Sequence, residues 1–269
     1  MIKISKKVEF SPNENRMNSV ADTKIARQLY YSSKSNNLKF LLEKRFSWMN
    51  KFIKENDLGI EVGSGAGFLK DFIKNKNLKL TDLSDDEHLD YKNIDAQDTG
   101  FPDQSFNYVI ASNMIHHIPF PIKFFREINR ILKKNGKLII FESYCSIAFQ
   151  LITIIMKHEG FDFTVNVWNE NEANSDEHNA WHGNIAVPHL IFDDKKKFKN
   201  NLGDLFRVDF EKFSEFTIFL NSGGVTSKTK YIPMNRFFLN LLNFLDKLLI
   251  KISPNLFCMG RKIVLTKIN

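Results

Sequence analysis

Leu58-Gly59-Ile60-Glu61-Val62-Gly63-Ser64-Gly65-Ala66-Gly67-Phe68-Leu69 decides how the rest of the chain is read. A short β-rich run enters three alternating glycines, and a helix-patterned run, Gly67 to Asn75, follows. A glycine-rich turn from strand to helix lets backbone approach a ligand closely, and the N–H groups that open the helix favour polar or negative acceptors. Three cofactor classes use such a turn. The dinucleotide fingerprint requires a glycine three positions after Gly65, where Phe68 stands. A phosphate-binding loop requires Gly-Lys-Ser/Thr, which is absent. The pattern that remains is acidic-x-G-x-G-x-G, with Glu61 accepting hydrogen bonds near the strand end and Gly63, Ser64, Gly65 and Gly67 passing under an amino-acid and ribose moiety.

Downstream, β-rich and helical patterns alternate as LKLTDL, FNYVIAS, PIKFFREINRILKK and GKLIIFE. This order specifies parallel βαβ units. Asp82 closes the second strand about twenty residues beyond the loop, a spacing at which a carboxylate receives ribose hydroxyls, and Leu83 follows it. Asp95 and Ala96 precede the fourth strand, where a carboxylate suits the exocyclic amine of an adenine. Asn135-Gly136 after Leu132-Lys133-Lys134 reads as a helix end with cations in its last turn. The run Lys137 to Glu142 is nearly continuously apolar, as a buried central strand requires.

The flanks differ from this core. Ile25, Leu29, Leu38, Leu41, Leu42, Phe46, Met49 and Phe52 predict helices before the first strand, lying over the site. Residues 146–205 join an apolar run, Ile147 to Met156, to a polar stretch rich in His and Asn, read as a cap or substrate region. Strands are expected at Phe206–Phe213 and Arg261–Lys267, with a Ser222-Gly223-Gly224 turn and an apolar helix between them. The expected division is therefore 1–56 N-terminal helices, 57–145 cofactor-binding core, 146–205 cap, and 206–269 C-terminal strands and amphipathic helix.

The blocks EVGSGAGFL, LTDLS, IDAQDTGFPDQSFNYVIASNMIHHI and REINRILKKNGKLIIFE resemble the class I S-adenosylmethionine (SAM) dependent methyltransferases over Leu58 to Glu142. Asn107 stands where that family usually has Asp, and Asn135 where it has Pro. The resemblance implies a Rossmann-like α/β fold with a seven-stranded, mostly parallel sheet and helices on both faces. It also implies SAM as cofactor, held by Glu61, Gly63, Ser64, Gly65, Gly67, Asp82, Leu83, Asp95, Ala96 and Asn113. A wider set, Tyr30, Thr81-Asp82, Lys157-His158-Glu159, Gly183 to Pro188 with Ile191-Phe192, Ser222-Gly223-Gly224 and Lys262 to Leu265, is similar to methyltransferase-like proteins of bacterial surface-polysaccharide biosynthesis. That similarity implies O-methylation of a sugar or glycan precursor. Two alternatives stay open: methyl transfer to a lipid or quinone-like acceptor, and a non-catalytic scaffold that keeps the fold.

A hydroxyl acceptor needs a general base within hydrogen-bond reach. His117 and His116, directly after the fourth strand, face the crevice in this fold and are the first candidates; His158 and Glu159 in the cap are the second. Tyr30, His182 and Asn184 are candidate acceptor contacts. His178 and His182 share a helical face at i, i+4, but no further ligands follow in a recognised pattern, so no metal is expected.

Among 269 residues, 38 Lys and Arg outweigh 31 Asp and Glu, a formal charge of +7, without the interleaved aromatics of a nucleic-acid surface. Cys145 and Cys258 have neither disulfide nor metal spacing, and the N-terminus lacks an apolar leader, so a cytoplasmic location is expected. Residues 236–252 are rich in Phe and Leu, yet Asp246 and Lys247 interrupt them short of a membrane span. Packing, dimer contact and peripheral membrane contact remain for this helix, and the partner implied overall is a small-molecule or glycan acceptor.

Overall fold

The computed structural model describes residues 3–10, 23–33, 35–157, 159–179, 182–224 and 229–268. Its elements are β1 (Lys7–Val8), α1 (Thr23–Tyr31), α2 (Asn36–Phe46), β2 (Gly59–Val62), β3 (Leu78–Thr81), β4 (Phe106–Ser112), α3 (Pro121–Ile131), β5 (Leu132–Ser143), α4 (Ile147–Met156), β6 (Phe161–Asp162), α5 (Val187–Phe192), α6 (Lys195–Leu202), β7 (Phe206–Ser214), α7 (Thr217–Leu220), α8 (Arg236–Ile252), α9 (Pro254–Phe257) and β8 (Gly260–Lys267). The main sheet has the order β3-β2-β4-β5-β8-β7. Its first four strands are parallel, while β8 runs antiparallel to both β5 and β7.

Alternation along the strands builds two apolar layers, because successive side chains point to opposite faces. Val109, Ala111, Leu138, Ile140, Ile263 and Leu265 pack on one face with α3, α5 and α6. Tyr108, Ile110, Ile139, Phe141 and Val264 pack on the other with α1 and α2. Both faces are thus covered by helices. The segment 146–205 does not stand apart from the sheet, since Val187, Ile191, Phe192, Phe198 and Leu202 belong to the first layer.

Among the described residues the main sheet has six strands, against the seven expected. The missing edge strand should follow β3, and Tyr91 makes only a single parallel bridge to Thr81. The Asp90 carboxylate accepts the Leu80 N–H at 2.9 Å, taking the donor that a neighbouring strand would use. Asn93, at φ 54°, then turns the chain away.

Two helical expectations also change. After the glycine loop only one 3-10 turn forms, Phe68–Asp71. Asn50 and Asn75 draw the following backbone into side-chain hydrogen bonds: Lys74 N–H donates to Asn50 Oδ1, and Asn75 donates to the carbonyls of Lys54, Glu55 and Asp57. Leu132 to Lys134 open β5 rather than close α3. The strand pairs with β4 at Leu132, bulges with Asn135 at φ 61°, and re-engages at Lys137.

Helix α8 carries Asp246 on its buried side. That carboxylate accepts the N–H groups of Phe216, Thr217 and Ile218 and the Thr217 hydroxyl, so it caps α7 from a distant part of the chain. None of the helices is long and apolar enough to cross a membrane among the described residues.

Candidate active site

The parallel strands β2, β3, β4 and β5 end on one side of the sheet, where ligands bind in open α/β folds. Their C-terminal loops line a cavity of about 670 Å³. Glu61, Gly63, Ser64, Gly65, Asp82, Leu83, Asp95, Ala96 and Asn113 all reach its wall; Gly67 lies behind it. Gly63, Gly65 and Gly67 adopt φ of 66°, 50° and 73°, a region that residues with a Cβ rarely enter. A Cβ on Gly65 would meet nothing within 4 Å, so this stretch of backbone faces open cavity. One on Gly67 would come within 2.8 Å of His88 Cδ2, the ring that supports the loop through a 2.7 Å contact from Nε2 to the Gly65 carbonyl.

The carboxylates divide the labour. Asp82 accepts the Gly65 N–H at 2.8 Å and the Ser84 N–H at 3.1 Å, tying the loop to the end of β3. Asp95 holds Gln97 through its backbone N–H at 2.8 Å. Glu61 is buried, and its Oε2 has no hydrogen-bond partner among the described residues. Burial holds its carboxyl well above the usual range, with the Asp82 charge adding to the shift and the Ser64 hydrogen bond opposing it. An unpartnered buried oxygen beside open glycine backbone suits an amino-acid head carrying N–H donors, as the head of SAM does. Helix α1 lies over this half of the site. Thr23 donates to Asp86 at 2.9 Å and Arg27 Nη1 to the Ala66 carbonyl at 2.7 Å.

The second half is built around the two histidines. Glu142, at the end of β5, accepts the N–H groups of Met114, Ile115 and Ser143 and lies 2.7 Å from His116 Nδ1. Glu159 reaches in from the cap, 3.4 Å from His116 Nε2 and 3.6 Å from His117 Nε2. Burial works against a charged His116, but the Glu142 and Glu159 carboxylates overcome it and push its pKa up to about 10. The two carboxylates hold the His116 ring from both sides and favour its charged form. His117 and Glu159 face the same cavity. His116, His117 and Glu159 also bring potential ligand atoms within 4.8 Å of one another.

The cap lies directly on this pair. A Cβ on Gly183 would come within 2.8 Å of His116 Cδ2 and 2.9 Å of His117 Nδ1. Asn184 N–H donates to the His116 carbonyl at 2.8 Å. Phe149, Ile152 and Met156 of α4, with Ile185, Phe219 and Met259, give the remaining wall an apolar character. A buried ion pair, Arg45 to Glu215 at 2.6 Å, closes the far side under the rings of Phe141 and Phe219.

Three expected acceptor contacts stand elsewhere. Tyr30 stacks on Phe68 at 4.4 Å and donates to Asp71, fastening α1 to the turn after the glycine loop. Asn184 spends its side chain on Asp162 and Asn174 backbone. His182 Nε2 lies 3.3 Å from the Phe10 carbonyl. All three organise the walls from outside the cavity. His158 lies outside the described residues. Glu142, Glu215, Arg45, His88 and the contact surface of Gly183 were not singled out by sequence.

A glycine-loop cradle at the strand ends of a mostly parallel sheet is the arrangement that class I SAM-dependent methyltransferase domains use. Residues 60–140 match the family model described as methyltransferase domain, which makes SAM the cofactor of this core. The chain is 19% identical over 130 residues to a phosphatidylethanolamine N-methyltransferase of Cereibacter sphaeroides, covering 48% of this chain and 57% of that protein. It is 26% identical over 122 residues to a ubiquinone/menaquinone biosynthesis C-methyltransferase of Rickettsia massiliae, covering 35% and 49%. The chain thus spans about half the length of these curated relatives. A SAM-dependent methyltransferase structure from Thermotoga maritima, titled a possible histamine N-methyltransferase, is 13% identical over 94% of this chain and 100% of its own, with a TM-score of 0.49.

Proposed function

We propose that this protein transfers the methyl group of SAM to a hydroxyl or amine on an acceptor with an apolar body, of the lipid or quinone class. The observation that carries this reading is the cavity wall beyond the cofactor cradle. Phe149, Ile152, Met156 and Phe219 line it beside the polar pair His117 and Glu159, with Asp176 and Glu177 as further polar groups on the wall. Ligand sites combine a mostly apolar lining with a few placed polar groups that orient the reacting end. A free sugar precursor, the acceptor class implied by the polysaccharide resemblance, would leave most of its hydroxyls against these side chains without partners, at a cost for each one buried. The two curated relatives act, by their names, on a phospholipid and in quinone biosynthesis, which supports the same direction.

SAM supplies an electrophilic methyl on a sulfonium sulfur, and displacement needs nucleophile, carbon and sulfur held in line. The chain's own residues then have distinct tasks. Glu61, Asp82 and Asp95 fix the donor end. His117 takes the proton that the acceptor loses as its new bond to carbon forms, and Glu159 orients the ring and shares the positive charge that results. His116, already charged, holds Glu159 in place. The apolar wall keeps water from the reacting atoms.

The test incubates the protein with labelled SAM and separate lipid, quinone and sugar-precursor fractions. Label in the lipid or quinone fraction, lost in a Gly65→Val variant that no longer binds S-adenosylhomocysteine by calorimetry, is expected. Label confined to the sugar fraction would overturn the acceptor class, and binding equal in parent and variant would overturn the site.

A further inference from the structure

Helix α8 turns two different faces inward and outward. Leu239, Asp246 and Ile250 are buried, so they mark the inner side. Phe237, Leu241, Phe244, Leu245, Leu248 and Ile252 fall at i, i+4, i+7, i+8, i+11 and i+15, which places them on one stripe across the axis from it. All six are exposed, with Phe237 at 72% and Ile252 at 77%. Water-facing phenyl and leucyl side chains in a continuous stripe indicate an interaction surface.

Charge selects the occupant. The exposed ionic residues of α8 are all cationic, Arg236, Lys247 and Lys251, and its one acid, Asp246, points inward. Arg236 pairs with Glu43, which leaves Lys247 and Lys251 along the margin of the stripe. An apolar stripe edged by lysines is the pattern of a helix that lies in the headgroup region of an anionic bilayer. A second copy of this chain would bring the same lysines and the same formal +7 to the contact.

The position of the stripe agrees with the chemistry behind it. Helix α9 touches both α8 and α4. Helix α4 exposes Leu151 and Ile155 while Phe149, Ile152, Thr153 and Met156 line the cavity. One helix thus separates the reaction chamber from an outward apolar surface.

We propose that α8, with the outer residues of α4, docks this protein on the surface of an anionic phospholipid bilayer. Docking of this kind does not depend on which acceptor is methylated. The full chain is floated with phosphatidylcholine vesicles, with and without phosphatidylglycerol, and its oligomeric state is measured by ultracentrifugation without vesicles. The parent is expected to float with phosphatidylglycerol vesicles. A Phe237→Ser/Phe244→Ser/Leu248→Ser variant should lose about tenfold or more in partitioning, since each removes apolar area from the interface. Lys247→Glu/Lys251→Glu should abolish the preference for phosphatidylglycerol. Labelled methyl transfer and calorimetric binding of S-adenosylhomocysteine in the same samples report on the active site separately. Absence of the parent from the floated fraction with both vesicle types would overturn the proposal. So would a parent dimer that the serine variant converts to monomer while vesicle binding stays undetectable, because a second copy would then cover the stripe.

Discussion

The Glu142 carboxylate lies 2.7 Å from Nδ1 of His116 and at the same time receives the N–H groups of Met114 and Ile115, so one side chain sets both the loop and the ring that the loop carries. Glu142→Gln keeps the size but removes the charge. Turnover is expected to fall about a hundredfold, the lower end of what acid–base groups contribute. Calorimetric affinity for S-adenosylhomocysteine should stay near the parent value; a loss of affinity with unchanged turnover would refute the positioning role.

The same pair makes stability depend on pH. His116 has its folded-state pKa raised to about 10, from about 6.5 when unfolded. The stability it gains from its carboxylates is complete below the lower value and lost as pH rises through the upper one. Urea midpoints of the parent and Glu142→Gln should therefore differ most near pH 6.5 and converge toward pH 10. A constant difference would mean that His116 is neutral in the folded protein.

For His117 we expect His117→Ala to lower turnover about a hundredfold or more, as loss of a general base does. Glu159→Gln should lower it too, and the double variant should fall little further, because the two act as a unit. Turnover in His117→Ala equal to that of the parent would place the base elsewhere.

Gly183→Ala probes the contact between cap and histidines without touching any ionisable group. Its methyl would press on both rings at less than 3 Å. We expect reduced turnover, unchanged cofactor affinity, and a small change in thermal midpoint. Parent-like kinetics would show that the cap loop yields freely.

Removing one partner of the Arg45–Glu215 pair leaves an uncompensated buried charge. Arg45→Met should destabilise the fold by about 3–5 kcal/mol in urea unfolding. Chelation, by contrast, should leave turnover unchanged if His117 serves as a base and not as a ligand. Activity lost to a chelator and restored by a divalent ion would assign the His116, His117 and Glu159 cluster to a metal.

Local signals explain what sequence could reveal. The glycine loop, Asp82 and Asp95 are readable because strand ends lie at short, regular intervals and each feature is contained in its own loop. Asn135 was readable as a residue at positive φ, but not its setting, since a helix end and a strand bulge ask for the same backbone. Glu142 looks like the polar end of an apolar strand, and its partners Met114, Ile115 and His116 meet it only when β4 and β5 lie side by side. Arg45 and Glu215 are 170 positions apart, and no periodicity joins them. Tyr30 and Asn184 read as acceptor contacts because polar side chains near a cleft look alike in sequence whether they touch a ligand or brace the wall.

Asp246 sets the rotational phase of α8. It grips the start of α7 through four hydrogen bonds from the inner side of α8. Each residue along an α-helix turns it by roughly 100°. A slip by a single position would bring Lys247 or Leu245 under α7, where neither can receive those N–H groups. The azimuth of every outward phenylalanine is therefore set by a carboxylate on the opposite side of the helix, which never meets whatever the phenylalanines touch.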